Sequence, residues 1–575
     1  MASLNIPGLA LQAVSKTRQY VDRGTAELHY LRKMAEAGAL KLESPQAMAA
    51  MAADIARWGE VGMIPAVNAR RTPHGEAVID DEGTMTFAEL DDAVNAVANR
   101  LVALGVRGGD GVAILARNHR WFLVANFAAA RAGARTILLN TEFSARQIAD
   151  VADREGTRLL IYDDEYADAV QLANFELGRL RAFATTPERD EPHARREQDA
   201  DEPHARREQD ADEPLADVVA GGDTAPAPKP SRHGSLVILT SGTTGTPKGA
   251  TRNVGPTLAP IGSVLSHVPF KSGEVTVLPS PMFHALGYLH ATLAMTLGST
   301  LVLRRKFRPL TVLEDIETHR GTALVVVPVM LSRILDALDK LDRKPDLSSL
   351  RIVFVSGSQL GAELATRALK ALGPVIYNLY GSTEIAFATI ARPQDLAINP
   401  ATVGPVVKGA KVRILDEHGV ELPKGKIGRI FVGNAMPFQG YTGGGGKQII
   451  DGLLSSGDMG YFDQHDLLYV TGRDDEMIVS GGENVFPAEV EDLISGHPEV
   501  IEATALGVED EDFGARLRAF VVKHEGSDLD EEAVKAYVKE HLARYKVPRD
   551  VVFLDELPRN PTGKILKREL RKHGE

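Results

Sequence analysis

The segment Leu239–Ala250 has the composition of a loop that binds phosphate. Its sequence, LTSGTTGTPKGA, follows the apolar run Ser235–Leu239, which predicts a buried strand. Glycines let a backbone approach a ligand closely, hydroxyls donate hydrogen bonds to oxygens, and Lys248 brings a mobile positive charge. The segment therefore predicts a polyphosphate-binding loop, and the alternative is a polar connection of the kind that turns also favour.

Eight residues of this segment are expected to contact phosphate. They are Thr240, Ser241, Gly242, Thr243, Thr244, Gly245, Thr246 and Lys248. A Walker ATPase is not indicated, because Pro247 precedes Lys248 and Gly249 follows it, whereas that motif requires Gly-Lys-Ser or Gly-Lys-Thr.

Polar residues also follow two apolar runs that predict strands, Arg351–Val355 and Val375–Leu379. In open α/β sheets, ligands gather at the carboxyl ends of the strands. The first run leads to Gly357, Ser358 and Gln359. The second leads to Tyr380–Glu384, which offers an aromatic face for a base, a glycine for close approach, hydroxyls for phosphate and one carboxylate for a hard cation. The alternative for this pentapeptide is a turn in which Glu384 caps a following helix.

Four further residues are candidates that remain ambiguous on their own. A carboxylate such as Asp458 can accept from two hydroxyls and a guanidinium such as Arg473 can brace them, although a lone Asp or Arg is usually a surface residue. Lys564 lies in a Pro- and Gly-containing turn, and by composition alone it is a solvated lysine of an exposed loop. His284 lies in an apolar run and is either a core histidine or a site residue.

Six segments resemble, in order along the chain, the signatures of the adenylate-forming superfamily of acyl-CoA synthetases, luciferases and peptide-synthetase adenylation domains. They are Leu239–Ala250, Tyr380–Glu384, Ser455–Asp458, Gly472–Asp475, Ser480–Glu491 and Pro558–Lys564. The resemblance runs from about residue 68 to the end. It departs at Leu453, at Asp466–Leu467 and at Gly443–Gly446.

The resemblance implies roles for the nucleotide-binding residues. Tyr380 would stack on adenine within a site that includes Gly381 and Ser382, and Thr383 would touch the α-phosphate. Glu384, with Thr244, would hold Mg²⁺. Asp458 and Arg473 would bind the ribose.

The resemblance also implies roles for the reaction itself. Lys564 would serve adenylation from a mobile C-terminal domain, with Asp475 as the hinge, and His284 would lie beside the substrate carboxylate. Thr383 and Glu384 complete the catalytic set. Gly481 and Gly482 would line the passage for coenzyme A.

The elements that must position these residues follow an α/β pattern. Between about residues 68 and 180, strand-like runs at 77–79, 111–115, 136–139 and 159–161 alternate with helical patterns at 87–104 and 121–132. This alternation predicts a largely parallel sheet covered by helices. The resemblance implies the full fold: a large N-terminal domain of helix-covered β-sheets with several subdomains, and a small mobile α+β C-terminal domain.

We therefore expect a helical extension at 1–67, an adenylation domain at 68–474 and a C-terminal domain at 475–575. Within the second, residues 187–232 are interpreted as a solvated, disordered insertion. It contains the sequence DEPHARREQDA at 190–200, which is repeated at 201–211, while Asp212–Pro214 begins a third copy. So polar a segment cannot bury enough apolar surface to fold alone.

Composition limits the functional classes. The 575 residues carry 78 acidic and 65 basic side chains, a net charge of −13 that argues against a nucleic-acid-binding protein, and there is no cysteine for disulfides or thiolate chemistry. No signal peptide is expected. The charge-free stretch Val275–Leu303 predicts a buried helix between two strands; a membrane-spanning helix is the alternative, which its prolines and histidines disfavour.

Residues 1–65 leave two interpretations open. Val14, Val21, Leu28 and Leu31 recur on one helical face among basic residues, and Ser44–Pro45 predicts a helix start. Such a helix either packs on its own domain or lies on a membrane surface. The expected location is the cytoplasm, with or without peripheral contact at the inner face of the membrane, and a homodimer is one of the oligomeric states left open.

The resulting prediction is an AMP-forming acyl-CoA synthetase. A medium- or long-chain fatty acid would react with ATP to give acyl-AMP and pyrophosphate, and coenzyme A would then take the acyl group. One alternative is a ligase that loads a carrier protein instead, and another is a noncatalytic nucleotide-binding scaffold. The presence of Lys248, Glu384 and Lys564 together argues against the scaffold.

Overall fold

A computed structural model describes most of the chain. The described residues are 24–40, 43–183, 212–240, 248–252, 257–436, 438–442, 444–474, 476, 478–480, 483–510, 514–560 and 563–572. Contacts divide the chain into two compact units. The first comprises Met1–Lys41, Arg252–Ser280 and Phe307–Glu575, and the second comprises Leu42–Thr251 and Pro281–Lys306.

The helices of the described ranges are mostly short. They are α1 (24–36), α2 (Pro45–Gly62), α3 (Ile64–Arg71), α4 (Phe87–Ala103), α5 (Arg120–Arg131), α6 (Ala145–Arg154), α7 (Leu215–Gly221), α8 (Ala259–Leu265), α9 (Ala285–Thr296), α10 (Pro309–Thr318), α11 (Pro328–Lys340), α12 (Ala362–Leu372), α13 (Pro393–Ile398), α14 (Pro487–Ser495), α15 (Glu531–His541) and α16 (Lys567–Leu570). Two 3₁₀ turns lie at Asp164–Tyr166 and Arg544–Lys546.

The strands lie between these helices. They are β1 (Glu76–Asp80), β2 (Gly83–Thr86), β3 (Gly111–Leu115), β4 (Arg135–Leu138), β5 (Thr157–Asp163), β6 (Arg179–Phe183), β7 (Glu213–Pro214), β8 (Ser235–Thr240), β9 (Lys248–Arg252), β10 (Val275–Val277), β11 (Thr300–Val302), β12 (Ala323–Val326), β13 (Ile352–Val355), β14 (Ile376–Ser382), β15 (Ala386–Ala391), β16 (Lys411–Leu415), β17 (Gly428–Gly433), β18 (Phe438–Tyr441), β19 (Ile449–Ile450), β20 (Leu453–Phe462), β21 (Leu468–Arg473), β22 (Ile478–Ser480), β23 (Glu483–Val485), β24 (Val500–Asp510), β25 (Gly514–Lys523) and β26 (Asp550–Phe553).

The second unit is built around the predicted parallel sheet. Its strand order is β9-β8-β4-β3-β5-β6-β7, and every pair is parallel except the antiparallel pair of β8 and β9. All five residues of β3 are buried, as expected for a central parallel strand with both faces covered. The predicted alternation of strands and helices is thereby confirmed. In the same unit, β1 pairs in parallel with β11 and antiparallel with β2.

The first unit contains a parallel set and two antiparallel sheets. Strands β10, β12, β13 and β14 are parallel neighbours, and β15 turns back antiparallel to β14. Strands β16, β17, β20 and β19 form an antiparallel sheet to which β21 adds along β20. Toward the C-terminus, β24, β25 and β26 form a third sheet around their own apolar core.

Residues 212–232 correct the predicted insertion. Residues 184–211, which include both full copies of the repeat, lie outside the described residues, but the segment from 212 onward is part of the second unit. Strand β7 pairs with β6, and the side chains of Leu215 and Val218 in α7 are buried. The indole of Trp58 also donates a hydrogen bond to the carbonyl of Ala227 at 3.0 Å. The disordered insertion therefore does not extend to residue 232, because Leu215 and Val218 supply the apolar surface that the repeat lacks.

The charge-free stretch folds as predicted, with strand β10, helix α9 and strand β11. Among the described residues, no helix combines the length and the apolar character needed to cross a membrane.

The N-terminal extension differs from its prediction. Val14 and Val21 lie outside the described residues, and Leu28 and Leu31 are 68% and 42% exposed. Helix α1 instead buries Tyr30, whose hydroxyl donates to the Lys408 carbonyl at 2.5 Å. The predicted apolar stripe is therefore wrong as the packing face, because a large ring with a satisfied hydroxyl packs here instead of the leucines.

The predicted domain boundaries are not matched by the two units. Residues 24–40 belong to the first unit and residues 43–67 to the second, so the extension is not a unit of its own. The start of α2 agrees with prediction, since the Ser44 hydroxyl accepts a hydrogen bond from the Ala47 amide. The boundary at 474/475 falls inside the first unit and stays a prediction.

Candidate active site

Strands β14 and β15 present the pentapeptide Tyr380–Glu384 at the edge of the parallel set in the first unit. The segment ends β14 and turns directly into β15, so the alternative of a helix-capping turn is wrong. Gly381 is required in this turn, because a Cβ atom at that position would overlap the carbonyl oxygen of Ala386. The close hairpin therefore determines the position of the Glu384 backbone.

Two hydroxyl groups hold the Glu384 carboxylate. Ser382 Oγ donates to Glu384 Oε2 and Tyr441 Oη donates to Glu384 Oε1, each at 2.8 Å. Desolvation alone would raise the pKa of Glu384, but these hydrogen bonds and the charge of Lys447 lower it below its ordinary value. The carboxylate therefore stays ionised at neutral pH, as a ligand for a hard cation must.

Asp458 and Arg473 face each other across two strands. They are directly paired residues of β20 and β21, and Arg473 Nη1 lies 3.1 Å from Asp458 Oδ1. Tyr380 Oη donates to the other oxygen, Asp458 Oδ2, at 2.5 Å. Burial, followed by the charge of Asp458, raises the pKa of Tyr380 well above its ordinary value, so this hydroxyl remains a donor. A carboxylate has about four acceptor positions, so Asp458 retains capacity for a further donor.

Lys564 is presented by a turn built on Asn560. Asn560 Oδ1 accepts from the Lys564 amide at 2.9 Å, and the Asn560 amide donates to the Lys564 carbonyl at 2.9 Å. The turn packs closely against the start of α11, because a Cβ atom at Gly563, which has a φ of 78°, would overlap Val329 Cγ1. Lys564 therefore follows a glycine that packs against the start of α11 in the first unit.

The electrostatic surroundings of Lys564 place it with the residues above. The residue as a whole is exposed, yet protein lies around its ammonium group, and this desolvation lowers the pKa of Lys564. The charges of Glu384 and Asp458 oppose that shift, whereas Arg473 and Lys447 add to it. Four predicted site residues, Lys564, Glu384, Asp458 and Arg473, therefore share one neighbourhood in the first unit.

The segment Gly357–Gln359 follows β13, as predicted, and leads toward α14. Gly357 has a φ of 101°, and the Ser356 hydroxyl donates to the Leu379 carbonyl at 3.0 Å, which ties the end of β13 to β14. The Gln359 side chain donates to Asp492 Oδ2 in α14 at 2.9 Å. In this structure Gln359 is therefore engaged with the helix that follows the predicted hinge.

The predicted phosphate loop is only partly described. Thr240 ends β8 and pairs across the strands with Lys248, which begins β9 and is exposed. Ser241, Gly242, Thr243, Thr244, Gly245 and Thr246 lie outside the described residues. The structure thus gives the two ends of the loop, which are neighbours in the second unit's sheet.

His284 lies in the second unit at the N-cap position of α9. Its ring centroid is 4.5 Å from that of Phe283, with an interplanar angle of 49°. The preceding segment is anchored because the Met282 amide donates to Asn118 Oδ1 at 2.8 Å. The role of His284, as a core residue or as a site residue, therefore stays a prediction.

Three further predicted residues, Asp475, Gly481 and Gly482, lie outside the described residues. Their roles as hinge and coenzyme A contacts stay predictions. Over the described ranges, no group of three or more His, Cys, Asp or Glu side chains is arranged to hold a metal ion.

Sequence reasoning missed two residues of this neighbourhood, Tyr441 and Lys447. Lys447 Nζ donates to the Ser456 carbonyl at 2.7 Å, beside Gly457 in the part of β20 that precedes Asp458. Both residues flank the glycine run that departs from the family pattern. The departure from the family pattern at Gly443–Gly446 is the one signal in the sequence, and it does not indicate which side chains would lie near Glu384.

Comparisons with known proteins agree on one family. A model described as "AMP-binding enzyme" matches residues 66–442, and a model described as "AMP-binding enzyme C-terminal domain" matches residues 489–564. A solved structure with a similar fold is ATP-bound MatB from Rhodopseudomonas palustris, with a TM-score of 0.74 and 26% identity, covering 89% of this chain and 98% of that one.

Curated relatives act on different acids. A feruloyl-CoA synthase of Amycolatopsis is 34% identical, covering 89% of this chain and 98% of the relative. A 3-[(3aS,4S,7aS)-7a-methyl-1,5-dioxo-octahydro-1H-inden-4-yl]propanoyl:CoA ligase of Mycobacterium tuberculosis is 34% identical, covering 88% and 97%. A fatty acid–[acyl-carrier-protein] ligase of Streptomyces coeruleorubidus is 29% identical, covering 88% and 94%.

Proposed function

The chain belongs to the AMP-binding enzyme family, and from this premise we propose that it activates an apolar carboxylic acid with ATP and transfers the acyl group to coenzyme A. The observation that carries the proposal is the shared neighbourhood of Lys564, Glu384, Asp458 and Arg473. Glu384 supplies an ionised carboxylate for a cation, Asp458 and Arg473 supply a pair that can bind ribose, and Lys564 supplies a positive charge on a flexible side chain. That is the set of groups that adenylation needs.

In the first step, a carboxylate oxygen of the acid attacks the α-phosphorus of ATP. The bond from the α-phosphorus to the bridging oxygen breaks, and its electron pair leaves with pyrophosphate. Negative charge grows on the α-phosphate oxygens as this happens, and the Lys564 ammonium stabilises it, since a preorganised cation in a partly desolvated site acts strongly. Asp458, braced by Arg473 and Tyr380, holds the ribose so that the α-phosphorus is aligned.

In the second step, the coenzyme A sulfur attacks the carbonyl carbon of the acyl-adenylate. The bond between that carbon and the phosphate oxygen breaks, AMP leaves with the electron pair, and the thiol proton passes to solvent. Asp475, Gly481 and Gly482 serve this step as hinge and entry passage. Lys564 serves only the first step in this proposal, because the C-terminal domain that carries it would turn about Asp475 before coenzyme A reacts.

Glu384 fits the magnesium ion that accompanies ATP. Mg²⁺ is usually bound by one or two carboxylates together with substrate phosphates, and the Glu384 carboxylate is ionised and oriented by Ser382 and Tyr441. Thr244 is the second expected ligand. When bound, the ion would withdraw charge from the phosphate oxygens.

The proposed substrate class is an apolar acid, with medium- and long-chain fatty acids as the first candidates. The support is the stretch Val275–Leu303, which carries no Asp, Glu, Lys or Arg and so offers no charged partner to a polar acid. The relatives named for ferulic acid and for a steroid-like propanoic acid widen the class to aromatic and polycyclic acids.

Transfer to a carrier protein is the second candidate function. It is favoured by the similarity to the fatty acid–[acyl-carrier-protein] ligase of Streptomyces coeruleorubidus. The two functions share the adenylation step and differ only in the thiol that accepts the acyl group.

One panel of acids tests both functions. Exchange of labelled pyrophosphate into ATP is measured with saturated fatty acids of increasing length, ferulate, 2-succinylbenzoate and the steroid-like propanoate, and AMP release is then measured with coenzyme A or a phosphopantetheinylated carrier protein. We expect exchange with at least one apolar acid and coenzyme A-dependent AMP release. Release with the carrier protein alone would favour the second function, and no exchange with any acid would overturn the adenylation proposal.

A further inference from the structure

Residues 441, 442 and 444–447, which lie between β18 and β19, form a short strap next to Glu384. The strap closes on itself, because the Tyr441 amide donates to the Gly445 carbonyl at 3.2 Å and the Gly444 amide donates to the Tyr441 carbonyl at 3.0 Å. Gly444 and Gly445 have φ angles of 92° and 90°, which side chains other than glycine rarely adopt. The glycines therefore allow a tight loop at this place.

Each end of the strap contacts the neighbourhood of Lys564. At its start, Tyr441 Oη donates to Glu384 Oε1 at 2.8 Å. At its end, Lys447 Nζ donates to the Ser456 carbonyl at 2.7 Å, and a Cβ atom at Gly457 would lie 3.3 Å from that Nζ. The two ends of the strap thus contact Glu384 and the part of β20 that precedes Asp458.

We propose that this strap is a positioning device for Glu384, in which Tyr441 orients the carboxylate through its hydroxyl and Lys447 anchors the strap to β20. The proposal rests on the proposed function, since it concerns the carboxylate assigned to Mg²⁺. Tyr441 and Lys447 touch neither the nucleotide nor the reacting atoms in this assignment, so they are positioning residues.

The physical argument concerns the freedom of the carboxylate. Glu384 has three side-chain torsions, and Ser382 restrains only Oε2. The Tyr441 hydroxyl restrains Oε1, so the two bonds together fix the plane of the carboxylate. Partners that orient a metal ligand are typically worth about 10–100-fold in metal affinity or activity. A loosened strap would release Tyr441, and with it this second restraint.

Tyr441→Phe tests the hydroxyl with no change in ring volume. We expect the Mg²⁺ concentration for half-maximal pyrophosphate exchange to rise about 10-fold, with the KM for the acid unchanged. The matched control is Tyr469→Phe in β21, which removes a hydroxyl that contacts Asp463 at 3.3 Å. The control should leave the Mg²⁺ dependence unchanged, and thermal unfolding should show both variants folded.

Lys447→Met and Lys447→Arg test the anchor. We expect the methionine variant to shift the Mg²⁺ dependence in the same direction as Tyr441→Phe, and arginine, which can still donate to the Ser456 carbonyl, to restore most of it. Combining Lys447→Met with Tyr441→Phe should add little, because both act through one restraint.

A binding measurement separates this proposal from the proposed function. Calorimetry with ATP in the presence and absence of Mg²⁺ should show weaker binding of Mg·ATP to Tyr441→Phe and unchanged binding of metal-free ATP. This holds even if the wild-type protein activates none of the acids, which would refute only the proposed function. Equal Mg·ATP binding and equal Mg²⁺ dependence in wild type and Tyr441→Phe would overturn the proposal.

Discussion

Lys564 differs from the other charged residues of the site in its surroundings. It is exposed on its own turn, yet the charges of Glu384, Asp458, Arg473 and Lys447 all act on it. A flexible ammonium group in such a place can follow charge that develops on a phosphate. We therefore propose that Lys564 acts during adenylation, whereas Asp458 and Arg473 hold the nucleotide throughout.

Lys564→Ala should slow adenylation by about 100-fold or more, the usual loss when one group that stabilises an oxyanion is removed. Conversion of a supplied acyl-adenylate to the thioester should be little affected, because in the proposed mechanism the C-terminal domain would turn about Asp475 and carry Lys564 away before that step. Single-turnover assays of the two half-reactions measure this, with the exposed Lys572→Ala as the control. Equal losses in both half-reactions would contradict the assignment.

At the scale of elements, the hairpin of β14 and β15 and the helix α14 carry separate tasks. The hairpin delivers Glu384 through a turn in which no Cβ atom fits at Gly381. Helix α14 meets the end of β13 through the hydrogen bond from Gln359 to Asp492. One element thus determines where a site carboxylate lies, and the other determines how the C-terminal segment contacts the parallel set.

Gly381→Ala should destabilise the protein by about 1–3 kcal/mol, the usual cost of overpacking, and should reduce adenylation, because the hairpin must open to accept the methyl group. Gly221→Ala is a suitable control, since a Cβ atom there meets nothing within 4 Å. Denaturant unfolding and pyrophosphate exchange measure the two effects. A Gly381→Ala variant as stable and active as Gly221→Ala would show that the hairpin is more adaptable than the structure indicates.

Asp492 makes the stability of this contact depend on pH. Burial, and then the charges of Glu491 and Glu489, raise the pKa of Asp492 from 3.8 to about 7, while the hydrogen bond from Gln359 lowers it. Because the folded-state pKa is raised, the stabilising contribution is complete below about pH 4 and is lost as the pH rises through about 7.

Asp492→Asn should remove this loss, because an amide oxygen still accepts from Gln359 and cannot ionise. We expect the unfolding midpoint of the variant to exceed that of the wild type by about 2 °C at pH 8, and the two midpoints to converge near pH 5. The exposed Asp555→Asn makes the same charge change in the C-terminal segment and should show no such convergence. A difference that grows toward acid pH would contradict the sign.

At the scale of the whole molecule, a charged repeat is followed by a segment that packs in the second unit. Residues 190–211 are two copies of a charged sequence, whereas α7 and the residues around it are packed in the second unit. We therefore expect the part of the chain that the fold requires to begin near residue 212, not after residue 232.

Deletion of residues 201–211, one copy of the repeat, should leave adenylation and the unfolding midpoint unchanged, because the deleted residues offer almost no apolar surface to bury. Deletion of residues 215–221 is the contrasting variant, and it should unfold the protein at lower temperature, since it removes the buried side chains of Leu215 and Val218. Equal stability of the two deletion variants would contradict this division.

The amino-acid sequence determined the α/β class, the largely parallel sheet, the strand-helix-strand structure of the charge-free stretch and the family. These features depend on hydrophobic periodicity and on motifs whose residues are adjacent in the chain, and both are properties of local sequence. For the same reason the sequence placed Thr240 and Tyr380 just after predicted strands, and the structure has them in the last residues of β8 and β14.

Tertiary structure decided which distant segments meet. The bond from the Tyr441 hydroxyl to Glu384 and the pairing of Gln359 with Asp492 join residues that are 57 and 133 positions apart, and no periodicity reports such contacts. Packing likewise buries Tyr30 of α1 and leaves Leu28 and Leu31 exposed. In each case the outcome depended on the shape and the hydrogen-bonding partners of a surface formed by other parts of the fold, which the local sequence does not contain.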